Sequence, residues 1–589
     1  MILSLLLNLF RLLFLPFHAL RWWRAAPRGG YVVLEIDGGV VDLPPPRRPW
    51  SLVRMLRPSS TPPPLSVERV REVAREIQKD GRVAGVLLQI GGVHGGAAAL
   101  ASLREVLLGL RASGKDVVAY LPMGADNQAL MLASTARMVV LGPGTQVAAL
   151  GYAAEGVYLR RAFEQVGVEP EVLARGEYKS AGEMLVRDGM SDAQREQSGA
   201  LLDARYSDLV GAVAEGRKVD RATAARWIDD GPHGAARALE FGIVDAVAYE
   251  DELDGVIGSP PRVPWGRYAQ ARRALRFRPM LPRPILGVIE VHGAIVHKAP
   301  LTSGLTAALS RVMPGLVPGM VPGVSIPLAS EERLVASLRA ARQNARIRGV
   351  VLHIDSPGGS ALASDRIHHE VLRLAEVKPV VAYMSNVAAS GGYYIAAGAQ
   401  AIVAQPQSIT GSIGVVSARI AVGPLLERLG VSIDVLKRGA RSDMLTATRK
   451  LDAEERAVME RELDAIYQTF LEVVARGRGR PVAEIEPLAG GRVYSGTEAH
   501  ARGLIDKLGG FEVALEELRT RIGPPAAGLE PAIVRVSRYV PPPPQLPTPV
   551  PAVMELLGLR GGEKAAELVA LVLHAGKERA MTWFPGAEG

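Results

Sequence analysis

The 589-residue chain contains no cysteine. That excludes disulfides, thiolate zinc sites and a cysteine nucleophile, and it fits either redox compartment. Histidine is scarce where a base would be useful, with none between His369 and His500. Acidic residues vanish between Asp254 and Glu290, a stretch that holds seven arginines from Arg262 to Arg283. This one stretch carries nearly all of the formal net charge of +8, so the basic balance is local and does not imply a nucleic-acid surface. Trp265, Tyr268 and Phe277 lie among the arginines, and the segment reads as a connector, an interface or a contact with anionic lipid.

The N-terminus lacks a clean apolar run of the ~20 residues a membrane-spanning helix needs. MILSLLLNLFRLLFLPFHALRWW is apolar but interrupted by Arg11 and Pro16. On a helical wheel Ser4, Asn8, Arg11 and His18 form one narrow polar stripe. Such a helix lies in the membrane interface or spans it against a partner. Arg21, Arg24 and Arg28 would hold its following flank on the cytoplasmic side. No small-residue cleavage site is evident, so residues 1–28 read as a retained anchor.

What the chain does contain is itself, twice. Strand patterns at 31–41, 83–90 and 116–122 recur at 286–296, 347–354 and 379–385, with amphipathic helices between them. Both halves close on a GIVD or GLID turn, at 242–245 and 503–506. Continuous apolar strands alternating with helices predict an α/β fold with parallel sheets covered by helices on both faces. The expected organisation is an anchor (1–28), a first α/β repeat (29–254), a basic connector (255–283), a second repeat (284–525) and a proline-rich tail with one short helix (526–589). Proline-rich loops follow the first strand of each half, roughly 44–64 and 301–327, and their apolar residues suggest a lining for extended substrate or a packing surface.

The chemistry is divided between the halves. At an offset of about 263 residues Ser390 of AASGGYY stands opposite Asn127 of GADNQAL. Lys179 of RGEYKSAGEM falls opposite Arg441 of RGARSDML at nearly the same offset. A serine nucleophile needs a base, and neither His353, His368 nor His369 has an orienting carboxylate at a telling spacing. Lysine can serve if burial lowers its pKa from ~10.4 to ~7, at a cost of about 4–5 kcal/mol. Each half thus keeps one member of a nucleophile–base pair. Ser390 precedes a predicted helix, so the Gly391 amide can face a developing oxyanion, and the loop Asp355-Ser-Pro-Gly-Gly-Ser360 adds Gly358 and Gly359. The glycines spell no recognised nucleotide loop.

GEYKSAGEM, DSPGGS, NVAASGGYYIA, TGSIGVV and GRVYSGTEAHARGLIDKLGG together resemble the long, two-repeat form of bacterial signal peptide peptidase A over roughly residues 30–520. The resemblance implies tandem crotonase/Clp-like domains and a membrane-bound serine endopeptidase. In it Ser390 is the nucleophile, Lys179 the general base, and Ser412 of the GSIG motif orients the lysine. It further implies a homotetramer at the bacterial inner membrane with a periplasmic catalytic domain. Its substrates would be signal-peptide remnants and other unfolded hydrophobic segments, with no metal or nucleotide. Two other readings use the same fold: a non-proteolytic membrane scaffold that binds lipid or proteins, and a crotonase-type acyl-CoA enzyme. The first has no need of a matched Ser–Lys pair, and the second leaves it without a role. If the pair is shared, residues 284–589 expressed alone carry a nucleophile without a base. That fragment is expected to cleave no peptide, and measurable turnover by it would refute the shared site.

Overall fold

In the computed structural model the described residues are 8–9, 11–45, 63–258, 260–275, 283–297, 327–524 and 531–537. Most of the first-strand loops, part of the N-terminal segment, and the tail with its proline-rich linker and terminal helix lie outside them. The chain forms two compact units: residues 1–153 with 201–283, and residues 154–200 with 284–589.

The first unit is built on a parallel sheet. Its strands β1 (Gly30–Val41), β2 (Val83–Gly95), β3 (Asp116–Leu121) and β4 (Met138–Leu141) lie side by side in sequence order. A short strand, Arg262–Pro264, adds to β1, and Ala246–Val247 adds to β4. Val86, Leu88, Ile90, Val117, Ala119 and Leu121 are fully buried, as expected of strands covered by helices on both faces. The helix Val67–Lys79 begins at Ser66, whose Oγ accepts from the Arg69 N–H, and turns Val70, Val73, Ala74 and Ile77 into the core. β2 runs on into the glycine loop because Val93–Gly95 pair with Gly38–Val40 beyond a register shift.

The described part of the basic stretch folds onto this unit. Residues Trp265–Ala274 form a helix in which Tyr268 is fully buried against Trp22 of the helix Leu15–Ala25. Arg272 pairs with Glu76, and Arg273 lies 3.7 Å from Glu72, so part of the positive charge is met by acids of the Val67–Lys79 helix. In the N-terminal helix and the residues just before it Leu12, Leu13, Phe14, Phe17, Leu20 and Trp23 are exposed. Among the described residues no helix is long and apolar enough to cross a membrane.

The second unit begins with a piece of chain that the repeat pattern assigns to the first half. Helix Arg160–Val166 turns at Gly167, in the left-handed region, into strand β5 (Glu169–Arg175). The sheet then follows the same plan as the first: β6 (Ile285–His292), β7 (Ile347–Ser356) and β8 (Val380–Ala389) are parallel neighbours. Beyond them Ala401–Ala404 and β9 (Ile409–Gly411) both pair with β8. A strand at Ala532–Arg535 pairs with β6 as Arg262–Pro264 pairs with β1. The sheet therefore reaches into the segment that the sequence suggested was only linker. Strand β10 (Val415–Ala421) stands apart from the sheet and pairs antiparallel with β5 along seven residues, from Val415 opposite Arg175 to Ala421 opposite Glu169. Two apolar clusters seal this ribbon. Phe163, Val168, Leu185 and Ala418 form one, and Leu173, Val415, Met459 and Leu463 the other. Arg175, at the end of β5, is held by Asp464.

Candidate functional site

The site lies wholly within the second unit, where β8 ends, β9 ends and β5 delivers its following turn. Ser390 follows β8 and caps the six-residue helix Gly391–Ala396, whose residues are all buried. Its φ of 53° is a conformation that side-chain-bearing residues rarely adopt. The strain is held by a hydrogen bond from the Ser390 N–H to Gly411 O at 2.9 Å, and another from the Tyr394 N–H to Ser390 O at 2.9 Å. Ser412, just past β9, is equally strained with φ 52°.

Lys179 comes from the other direction. After β5 the chain bends at Gly176 (φ 106°), and the Lys179 N–H returns to Gly176 O at 3.1 Å. The side chain is buried, and its Nζ lies 3.1 Å from Ser390 Oγ, 2.9 Å from Ser412 Oγ and 2.8 Å from Ser412 O. No carboxylate pairs with the amine, and burial alone drives its pKa down from 10.5 to about 7. A neutral amine has two N–H donors and one lone pair. Ser412 O can only accept and Ser412 Oγ can accept, which leaves the lone pair for the proton on Ser390 Oγ.

The lysine turn is anchored by contacts that the sequence did not single out. Tyr178 N–H donates to Gly490 O (2.9 Å), Gly491 N–H to Ile413 O (2.8 Å) and Ser412 N–H to Arg492 O (2.7 Å). One short loop, 490–492, thus holds both the Lys179 turn and the Ser412 turn. It must be glycine there, because a Cβ on Gly491 would lie 2.6 Å from the Lys179 backbone N and Cβ. Gln197 adds a clamp, donating to Tyr178 O and Ser180 Oγ and accepting from the Val493 N–H. The paired glycine ahead of a strand, with left-handed Gly490 and Gly491, was the available signal.

Of the three glycines proposed as oxyanion donors, two present free amides. Among the described residues the N–H groups of Gly359 and Gly391 have no hydrogen-bond partner, and an added Cβ on Gly391 would lie 3.4 Å from Gly359 N. Gly358 differs, since its N–H donates to Ser356 Oγ at 3.2 Å. Its contribution is conformational: with φ 105° and a Cβ position only 2.8 Å from Gly391 N and Ser390 Cβ, it lets the DSPGG loop close on the serine.

The histidines stay out of this chemistry. His368 is buried beside Tyr394 and its pKa is pushed down to about 4, chiefly by desolvation. His353 packs between Tyr383 and Phe511. In the first unit Asn127 opens the helix Asn127–Ala133 and closes on its own loop, donating to Gly151 O and accepting from Gly151 N. Among the described residues no group of acidic or histidine side chains is arranged to hold a metal ion.

Similarity to known proteins gives the class. The profile of peptidase family S49 matches residues 109–256 and again 373–523. The chain belongs to peptidase family S49. It therefore carries the Clp/crotonase-like α/β fold twice. Serine protease SPPA from chloroplasts of Arabidopsis thaliana is 32% identical over 454 residues, covering 77% of this chain and 65% of the relative, just under two thirds of its length. Protease 4 of Salmonella typhi is 28% identical over 511 residues, covering 82% of this chain and 77% of that protein. A putative signal peptide peptidase SppA of Enterococcus faecium is 36% identical over 191 residues, 32% of this chain and 56% of its own.

Titration of Lys179 yields a two-sided test. Its folded pKa of about 7 lies below the ~10.4 of the unfolded chain, so the unfolded state holds the proton more tightly between those values. The burial cost is fully present below pH ~7, shrinks as pH rises and is gone above ~10.4. Lys179→Met should therefore stabilise the fold by about 1–4 kcal/mol at pH 6, with the gain fading towards pH 10. Urea midpoints across that range measure it, and a gain independent of pH would contradict a buried neutral lysine. Turnover by the parent protein should rise with pH through about 7.

Proposed function

We propose that this S49-family protein is a membrane-associated serine endopeptidase in which Ser390 attacks and Lys179 moves the proton. The observation that carries the reading is the buried Lys179 amine, with a pKa near 7 and no carboxylate partner, 3.1 Å from Ser390 Oγ. Lys179 takes the hydroxyl proton as Ser390 Oγ bonds to the peptide carbonyl carbon. The oxyanion so formed receives the N–H groups of Gly359 and Gly391. On collapse the C–N bond breaks and the Lys179 ammonium protonates the departing amine. Water then attacks the acyl ester, giving its proton to Lys179, and Ser390 Oγ leaves with a proton returned by the same group. Ser412 keeps the amine aimed by occupying its other two hydrogen-bonding directions.

The names of the relatives support peptide substrates, and signal-peptide remnants and other unfolded hydrophobic segments are the class we propose. The exposed Leu, Phe and Trp side chains of the N-terminal segment support contact with lipid. The bacterial inner membrane and its periplasmic face are proposed on the family resemblance alone, against the cytoplasmic bias of Arg21, Arg24 and Arg28. We propose a homotetramer for the assembly, on the family resemblance.

Ser390→Ala and Lys179→Ala should each lower kcat/KM by about 10³-fold or more, and the double variant should be no worse than either single one. Lys179→Arg should be as inactive, because a guanidinium keeps its proton near neutral pH. Labelling by a serine-reactive phosphonate should require both residues. Substantial peptide cleavage by Lys179→Ala would end the proposal. Removing residues 1–28 should release the protein from membranes while short soluble peptides are still hydrolysed, and retention on membranes would relocate the anchor.

A further inference from the structure

Two acid-free stretches of the chain meet in the first unit. No aspartate or glutamate occurs before Glu35, and none between Asp254 and Glu290. The helices Leu15–Ala25 and Trp265–Ala274 come from these stretches and pack on one another. Trp22 is the joint. Its ring centroid lies 5.0 Å from that of Tyr268, and the guanidinium carbons of Arg82 and Arg272 sit 4.6 and 5.2 Å from it. Arg21 Nη2 reaches to 3.5 Å of Gln270 Oε1.

The covered side of the N-terminal helix is its polar one. Asn8, Arg11, Leu15, His18 and Trp22 are half-buried and Ala25 is buried. Their steps of three and four residues follow one side of a helix. Asn8, Arg11 and His18, the described members of the polar stripe, all lie on it. The opposite side holds Leu9, Leu12, Leu13, Phe17, Leu20 and Trp23, between 46% and 75% exposed. A helix folded only onto its own domain would turn the other way, apolar side in and polar side out. The inversion means that the apolar side is built for a second medium. A helix that crosses a bilayer must also leave the protein surface. This one keeps a covered stripe from Asn8 to Ala25, roughly 25 Å at 1.5 Å per residue.

Cations border the apolar side. Arg21 and Arg24 lie at its edge on the helical wheel, and Arg28 stacks over Trp23 at 4.3 Å. On the helix Trp265–Ala274 the side away from Tyr268 and Ala271 carries Gly266, Arg267, Gln270 and Arg273, all exposed. Arg262, Arg272 and Arg273 have acids within reach, whereas Arg21, Arg24, Arg28 and Arg267 make no ion pair among the described residues.

We infer that these two helices form a foot lying in the plane of an anionic lipid bilayer, with the apolar side of residues 9–23 sunk into one leaflet and the arginines of both helices against lipid phosphates. The polar stripe stays on the protein body, and the arginines reach the headgroup layer from the edge of the apolar side. The inference rests on the membrane association proposed above and names its form: the helix and the unit it packs on remain on one side of the bilayer. The arginines then serve as headgroup ligands and do not report which face of the membrane that is.

Vesicles of phosphatidylcholine with phosphatidylglycerol should bind the full-length protein about 10-fold or more tightly than phosphatidylcholine alone, an advantage that added salt removes. Arg24→Gln/Arg267→Gln/Arg273→Gln should cut the preference to about twofold or less. Leu13→Asp/Phe17→Asp should bind neither vesicle, with the circular dichroism spectrum and hydrolysis of a short soluble peptide unchanged. The variants Leu9→Cys, Leu13→Cys, Phe17→Cys and Leu20→Cys each carry a fluorophore in a chain with no other cysteine. All four should be quenched equally by a lipid labelled at shallow depth. Depth that rises and falls along the series, or retention of the protein in membranes after carbonate treatment, would overturn the in-plane placement and leave membrane association standing. Equal binding to the two vesicles would overturn the lipid class. No binding to either vesicle would overturn the inference and the association together, and loss of an oligomer in the aspartate variant would then assign the apolar side to a second copy.

Discussion

The structure of the site depends on taking one ammonium group out of water. Lys179 has no acid to compensate for burial, so the fold must supply about 4–5 kcal/mol to bring its pKa from 10.5 to about 7. The seven-residue ribbon of β5 and β10, sealed on both sides by apolar clusters, is what provides it. Ribbon hydrogen bonds fix the direction in which the chain leaves β5. The turn at Gly176 and the loop 490–492 then fix where the lysine backbone stops. Had the amine been offered a carboxylate instead, burial would have produced an ion pair with a raised pKa and no base.

Strain is concentrated at the same place. Ser390 and Ser412 are two of only three non-glycine residues with positive φ among the described residues. Both follow strands that pair with one another, β8 and β9, so the sheet that positions them also holds them out of their preferred conformations. Around them the contacts are too close for any Cβ: Gly358 against Gly391 N, Gly359 against Ile295 O, Gly391 against Ser364 Oγ. Small residues there are a consequence of backbone crossing backbone, and the free amides of Gly359 and Gly391 follow from that crowding.

Duplication explains why the rest of the chain looks as it does. Two sheets with the same strand order each need an added short strand on the outer side of the first, and each obtains it from the segment beyond its own closing turn, Arg262–Pro264 or Ala532–Arg535. The first repeat keeps Asn127 tied to Gly151, a side chain that satisfies a loop rather than attacking a substrate.

The sequence by itself determined the class of fold and the repeat, and it singled out Ser390 and Lys179, whose side chains the fold brings to 3.1 Å. Those are written in local terms: continuous apolar strands, amphipathic helices, and a register that sets a serine against an asparagine and a lysine against an arginine. It did not reveal that residues 154–200 pack with the second half, because β5 is short and its partner lies more than two hundred residues away. Nor did it reveal that Gly358 spends its amide on Ser356 Oγ, that Gly491 makes room for the lysine turn, or that Ala532–Arg535 completes a sheet. These are decided by which backbone groups meet at van der Waals distance. That outcome belongs to the assembled tertiary structure, since no local propensity encodes a contact whose two sides are brought together only when the core closes.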